Sequence, residues 1–348
     1  MSFQSVWFLL IAVLWVGYFI LEGFDFGVGM LLHFVSRNEA DRRAVLTTLG
    51  PVWDGNEVWL LVAGGATFAA FPEWYATLFS GFYLPLFLIL VALIVRGLSF
   101  EYRSKYGKPQ WRKRWDIAIF VGSALPALLW GVAFANIVRG VPLEKASSGS
   151  IEYVGGFFNL LNPYALLGGV VTLTVFLTHG AHFLALKTAG EIRVRAHALA
   201  IRLGLVAAVA AVAFLAWSNL MLPAINTKFL VLSIVTALFW VGAIAANFKA
   251  REGWAFISSS IAIATFVSGL FVALYPRVMP SSLGSQFDLT ITNASSSDYT
   301  LKVMTVVAVI MTPIVLVYQG WTYWVFRKRV SASQIQHPEQ GVLDTLHQ

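Results

Sequence analysis

A succession of long apolar runs constrains this chain more than any other feature, because each run matches the thickness of a lipid bilayer. Crossing a hydrocarbon core of roughly 30 Å takes about 20 helical residues. Runs of that order lie near 6–32, 51–71, 77–101, 115–139, 161–187, 198–222, 227–248, 254–275 and 302–327. In lipid the backbone must satisfy its own polar groups, so such runs fold as helices. The expectation is an all-α polytopic membrane protein with nine transmembrane helices. Composition agrees: 58% of residues are hydrophobic and 12% charged, against about 25% charged in soluble domains. Proline marks the two tightest connections, at Phe71-Pro72 and Leu222-Pro223. Residues 1–330 are expected to form one transmembrane domain and 331–348 a polar, mobile cytoplasmic tail.

The net charge of +7 does not point to nucleic acid, because the basic residues sit in short clusters between apolar runs. Clusters of that kind encode membrane orientation. Arg37, Arg42, Arg43, the group from Arg103 to Arg114, Lys187, Arg193, Arg195, Lys249, Arg251 and the run Arg327-Lys328-Arg329 fall on one side. Only Arg139, Lys145, Lys228, Arg277 and Lys302 fall on the other. The N-terminus is therefore expected outside and the C-terminus in the cytoplasm. The chain has no cysteine, which excludes disulfides, thiolate iron–sulfur ligation and covalent haem attachment. The first run lacks a basic leader and a small-residue cleavage site, so it reads as a retained helix, with the mature chain starting at Met1.

Carboxylates inside these runs are the chemically informative residues. A charged side chain in a transmembrane helix costs roughly 2.5–3.5 kcal/mol on insertion scales, and such groups usually mark an ion or proton path. Glu22 and Asp25 stand three apart near the end of the first run, and Asp54 and Glu57 stand three apart at the start of the second. At 1.5 Å per residue the first pair lies about 24–28 Å from the outer start of its helix, and the second about 4–9 Å from its inner start. Both pairs thus reach one depth, and the four acids are expected to face one another across a hairpin. Gly23 and Gly27 are spaced to let another helix approach closely, and the first helix is expected to offer this face to a partner subunit.

Other intramembrane polar residues read more plainly. His179 and His182 share one helix face, so they cannot supply both axial positions of a haem, and no third ligand completes a metal site. Metal and haem are therefore not assigned to this chain. Arg96, one turn before Glu101, fits a counter-ion to an acid, a lipid anchor or a snorkelling residue, and of these it reads as a lipid anchor. The outer loops 141–160 and 276–301 are polar and too short to be domains. Asn293-Ala294-Ser295 is a chance match to a glycosylation sequon.

The motifs Gly23-Phe24-Asp25-Phe26-Gly27-Val28-Gly29-Met30, Trp53-Asp54-Gly55-Asn56-Glu57-Val58-Trp59-Leu60, Ala63-Gly64-Gly65-Ala66, Phe79-Ser80-Gly81-Phe82-Tyr83, Phe100-Glu101-Tyr102-Arg103-Ser104-Lys105 and Val278-Met279-Pro280-Ser281-Ser282 resemble subunit II of the bacterial cytochrome bd quinol oxidases. The resemblance runs from the first helix to the ninth. It implies a haem-free subunit in the bacterial plasma membrane, paired with a subunit I that carries b-type and d-type haems and oxidises quinol. Membrane lipid, quinone and small accessory subunits are further partners it implies. It also implies a proton path through Asp25 and Asp54 and an oxygen-access role for Trp59; the spacing of the acids in this chain adds Glu22 and Glu57 as supporting members of that path. Two departures stand out: Glu57 occupies a position where glutamine is frequent, and the loop Pro223–Lys228 is very short. From the residues alone, a proton-coupled secondary transporter or a purely structural partner subunit are the alternatives.

Overall fold

Helix α1 (Phe3–Val35) is the axis of the molecule: from Glu22 to Leu32 every residue is buried. A helix buried all round lies inside its bundle. The computed structural model describes residues 2–221 and 226–344. After α1 come α2 (Glu39–Leu49), α3 (Trp53–Ala70), α4 (Pro72–Gly81), α5 (Tyr83–Tyr102), α6 (Pro109–Arg139), α7 (Pro163–Lys187), α8 (Glu191–Met221), α9 (Thr227–Phe248), α10 (Glu252–Leu274) and α11 (Asp298–Val325). Helices α3, α6, α7 and α10 pack around α1, and α8 and α9 close the bundle behind α7 and α10.

Among the described residues, eight helices are long and apolar enough to cross a membrane: α1 and α5 to α11. Helix α3 has 18 residues, but Asp54, Asn56 and Glu57 in its first turns lower its hydropathy. The apolar run 77–101 is two helices rather than one, because the backbone leaves helical geometry at Phe82. The segment between the first two apolar runs contains α2, whose first turn is capped by Asn38 accepting from the Asp41 N–H at 2.8 Å. Helices α6 and α8 start at 109 and 191, well before their apolar runs, because their charged first turns are helical too. The short α8–α9 connection lies mostly at residues outside the described ones.

With lipid on the outside, helices associate by close packing rather than by hydrophobic drive. A Cβ on Gly27 would overlap the Phe176 carbonyl and stand 2.8 Å from the Gly180 Cα, so α1 and α7 touch backbone to backbone. Gly131 of α6 and Gly168 of α7 meet in the same way. The glycine face of α1 is therefore covered inside the chain, by α7, and is not open to a partner subunit. Above it Trp15, Tyr18, Phe19, Trp130 and Phe134 form an aromatic core packed largely edge to face, with Phe271 tilted against Phe134.

The two ends of the bundle differ. At one, the antiparallel hairpins β1 (Leu143–Lys145)/β2 (Ile151–Tyr153) and β3 (Arg277–Met279)/β4 (Leu289–Thr290) are joined by a bridge between Val141 and Ser281. The other, basic end carries α2, the α5–α6, α7–α8 and α9–α10 turns, and the chain after α11. There Arg103 forks between two carboxylates, Glu39 at 2.7 and 3.0 Å and Asp116 at 2.5 and 3.2 Å. Burial alone would lower its proton affinity, but those hydrogen bonds outweigh it and hold the guanidinium above its usual value.

Candidate functional site

The residues that bear on function meet where α1, α3, α5 and α11 converge, toward the basic end. Arg96 projects from α5 and is completely buried. Its guanidinium forms an ion pair with Glu22 of α1 and lies 3.7 Å from the Glu57 carboxylate of α3. The rings of Phe26 and Phe100 flank it at 4.9 and 5.1 Å. Arg96 is thus not a lipid anchor. Removing an arginine from water is costly unless a carboxylate pairs with it, and here two do.

Asp25, one turn beyond Glu22 on α1, is also fully buried. Its Oδ2 accepts from the Asn56 amide at 2.7 Å. Glu22 and Asp25 lie one turn apart on the same face of α1, and each keeps a buried oxygen with no fixed donor, Glu22 Oε2 and Asp25 Oδ1. Glu22, Asp25 and Glu57 therefore share a single buried cation.

Asp54 does not join them. Helix α3 turns Asn56, Ala63, Thr67 and Ala70 inward. Asp54, two residues before Asn56, points about 200° away at 3.6 residues per turn and is exposed. Glu57 stands between those directions and is partly exposed, its side chain 23% accessible. Asp54 is close enough for Glu57 to feel its charge. The expected meeting of four acids is a meeting of three, with Asp54 at the rim.

Trp59 is wedged between α1 and α11. A Cβ on Gly17 would strike its ring, so the missing side chain makes the slot. Its indole N–H donates to Gln319 Oε1 at 2.8 Å, the Gln319 amide donates to Asn56 Oδ1 at 3.2 Å, and the Tyr323 hydroxyl donates to the same oxygen at 2.7 Å. Asn56, Gln319 and Tyr323 are the site residues that sequence reasoning passed over; for Arg96 it favours a lipid anchor over a counter-ion, and the counter-ion role is the one the structure gives it. Gln319 and Tyr323 were findable: two polar groups four apart on an otherwise apolar helix share a face.

A separate apolar cavity of about 450 Å³ lies one turn further along α3, bounded by Leu60, Gly64, Gly65, Trp74, Phe134 and other aromatic side chains of α4 to α6 and α10. The histidines of α7 are buried elsewhere. His179 Nδ1 lies 2.8 Å from Ser259 Oγ and its Nε2 3.2 Å from the Ile20 carbonyl, while His182 Nδ1 lies 3.3 Å from Ser259 Oγ. Both nitrogens of His179 are engaged, which does not suit a haem ligand. Among the described residues no three His, Asp or Glu side chains converge to hold a metal ion.

Comparison with known proteins places the chain in a family. The family model described as cytochrome bd terminal oxidase subunit II matches residues 3–326. The chain is 43% identical over 333 residues to the cytochrome bd ubiquinol oxidase subunit 2 of Bacillus subtilis, covering 95% of this chain and 97% of that one. It is 37% identical over 375 aligned positions to the cytochrome bd-I ubiquinol oxidase subunit 2 of Escherichia coli, covering 96% of each. A solved structure of the bd oxidase from Geobacillus thermodenitrificans superposes with a TM-score of 0.74 over 94% of this chain and 100% of that one; at 19% identity this likeness concerns the fold.

Proposed function

Because the chain belongs to the cytochrome bd terminal oxidase subunit II family, we propose that its buried acid cluster takes up protons for oxygen reduction in a partner subunit. The chain is a subunit of a quinol oxidase complex, an oxidoreductase of the respiratory chain, and a multi-pass protein of the bacterial inner membrane. In our reading the partner is subunit I, which holds b-type and d-type haems and oxidises the quinol, while this chain holds no haem.

The observation that carries the proton role is the charge balance: three carboxyls meet one buried guanidinium. If all three were ionised, two negative charges would be left uncompensated where desolvation disfavours them. Neutrality is restored by protons, so the cluster stores and passes them, and its titration belongs to the group as a whole. Asp54, exposed on the first turn of α3, is the natural collector, with Glu57 passing to Glu22 and Asp25. We place the basic end in the cytoplasm, following the distribution of Lys and Arg. Residues 1–330 then form one transmembrane domain, and those after 330 a cytoplasmic tail. Helix α3 is counted as the ninth span: it starts beside α2 at the basic end and finishes at Ala70, whose carbonyl accepts from Ser296 in the loop at the opposite end. Helix α11 carries the exposed Tyr318, Trp321 and Trp324, an aromatic face that suits a helical partner in the membrane.

Asn keeps the shape of Asp but carries no proton. Asp25→Asn and Asp54→Asn are expected to slow oxygen reduction by the assembled complex in sealed vesicles while leaving cofactor content unchanged. Wild-type turnover in both between pH 6 and 9 would refute the proton role.

A further inference from the structure

The hydrogen bonds between α3 and α11 have a direction that donor chemistry fixes. An indole N–H donates and cannot accept, whereas an amide side chain offers an oxygen at one end and N–H groups at the other. Trp59 donates to Gln319 Oε1, so the Gln319 amide nitrogen faces Asn56 and needs an acceptor there. Asn56 must present Oδ1 to it, and does so at 3.2 Å. That orientation turns the Asn56 amide nitrogen onto Asp25 Oδ2 at 2.7 Å. Tyr323 donates to the same Asn56 oxygen and reinforces it. Reversing the Asn56 amide would set its oxygen against Gln319 N–H no longer but against Asp25, which only a protonated Oδ2 tolerates.

We propose that Trp59, Gln319 and Asn56 form a one-way row of donors that keeps Asp25 Oδ2 a bare carboxylate oxygen and leaves Oδ1 as the atom that takes the proton. Oδ1 has no fixed donor, and neither does Oε2 of Glu22 one turn away on the same face of α1, so a proton arriving at Oδ1 has a second acid beside it to pass to. Hydrogen bonds in series polarise one another, and the row ends on Trp59, held in place by Gly17. Trp59 and Gln319 are thus positioning residues. The charged and titratable groups around Asp25 are Glu22 on α1, Glu57 on α3, Arg96 on α5 and Tyr323 on α11, and none of them is altered by changing Trp59 or Gln319.

This inference rests on the proton role proposed for Asp25, and its test separates the two. Trp59→Phe keeps a ring and loses the donor; Gln319→Leu breaks the row one step later and serves if the first variant fails to assemble. In the purified complex, the infrared carbonyl band of protonated Asp25 is identified as the one missing from Asp25→Asn. Each variant is expected to raise the acid-to-carboxylate ratio of Asp25 at pH 7 by about threefold or more, the effect of one net hydrogen bond. The double variant should go no further than either single one, because both cut the same row. An unchanged Asp25 band in both variants overturns the donor row, including where Trp59→Phe alters only the dependence of turnover on oxygen concentration. Wild-type turnover of both Asp25→Asn and Asp54→Asn refutes the proton role instead, and the infrared measurement still decides the row.

Discussion

Glu22 and Asp25 are legible as unusual residues from the sequence, because a carboxylate in an apolar run is rare on energetic grounds alone. Arg96 is not legible in the same way. A long cationic side chain near a helix end can snorkel to the headgroups or turn inward, and only the neighbouring helices decide which. Here α1 and α3 bring Glu22 and Glu57 to it, and the inward choice wins. Removing one partner of a buried pair leaves the other charge uncompensated, at a cost of about 3–5 kcal/mol. Arg96→Met is therefore expected to lower the melting temperature of the complex markedly. Glu22→Gln/Arg96→Met, which removes both charges, should recover part of the loss. If the double variant melts no higher than Arg96→Met alone, the pairing is not what holds Arg96 inside.

At the scale of elements, the apolar runs locate the helices well and their charged ends poorly. Hydropathy stops at residue 115 in α6 and 198 in α8, whereas the helices begin at 109 and 191 because polar pairing, not apolarity, holds those turns. Arg112 is tied to the Pro338 carbonyl at 2.9 Å and Arg193 to Glu252 at 2.8 and 2.5 Å. The same limit hid α2, whose signal was the Asn38 cap. Glycine spacing correctly suggests close approach to a helix but cannot say which one, since a small-residue face is blind to its partner. The contact between Gly27 and Gly180 answers that, and it changes the expectation for Gly27→Leu. The added side chain meets backbone on α7, which cannot move aside without parting the helices. Gly27→Leu is expected to lower the yield and thermal stability of the subunit itself, and Gly180→Leu should do the same. A complex that melts normally but loses its partner would show that the face is used externally after all.

At the scale of the whole molecule, the chain after α11 ties the basic end together, which its polar composition conceals. Backbone hydrogen bonds carry no side-chain signature, and most of this docking is backbone. Val330 exchanges hydrogen bonds with Lys187 and Ala189 at 2.8 and 3.0 Å, Val342 donates to the Ser104 carbonyl at 3.0 Å, and Leu343 to the Lys105 carbonyl at 2.9 Å. The clasp closes at Asp344, whose Oδ2 accepts the N–H groups of Gly107 at 2.7 Å and Gly341 at 2.9 Å. Those backbone donors hold its carboxyl below the usual carboxylate value. A depressed folded-state value means that the contribution is fully present above the unfolded value, about 3.9, and is lost as pH falls through the folded one. Near neutral pH the clasp is therefore closed. Backbone donors bond less strongly to a neutral amide than to a carboxylate, so Asp344→Asn should mimic acid at pH 7. Hydrogen exchange at Gly107 and Gly341, corrected for the intrinsic rate, is expected to be several-fold faster in Asp344→Asn than in the wild type at pH 7. The two should converge as the pH is lowered below 4. Equal and rapid exchange in both at pH 7 would mean that the tail is not clasped to the α5–α6 turn.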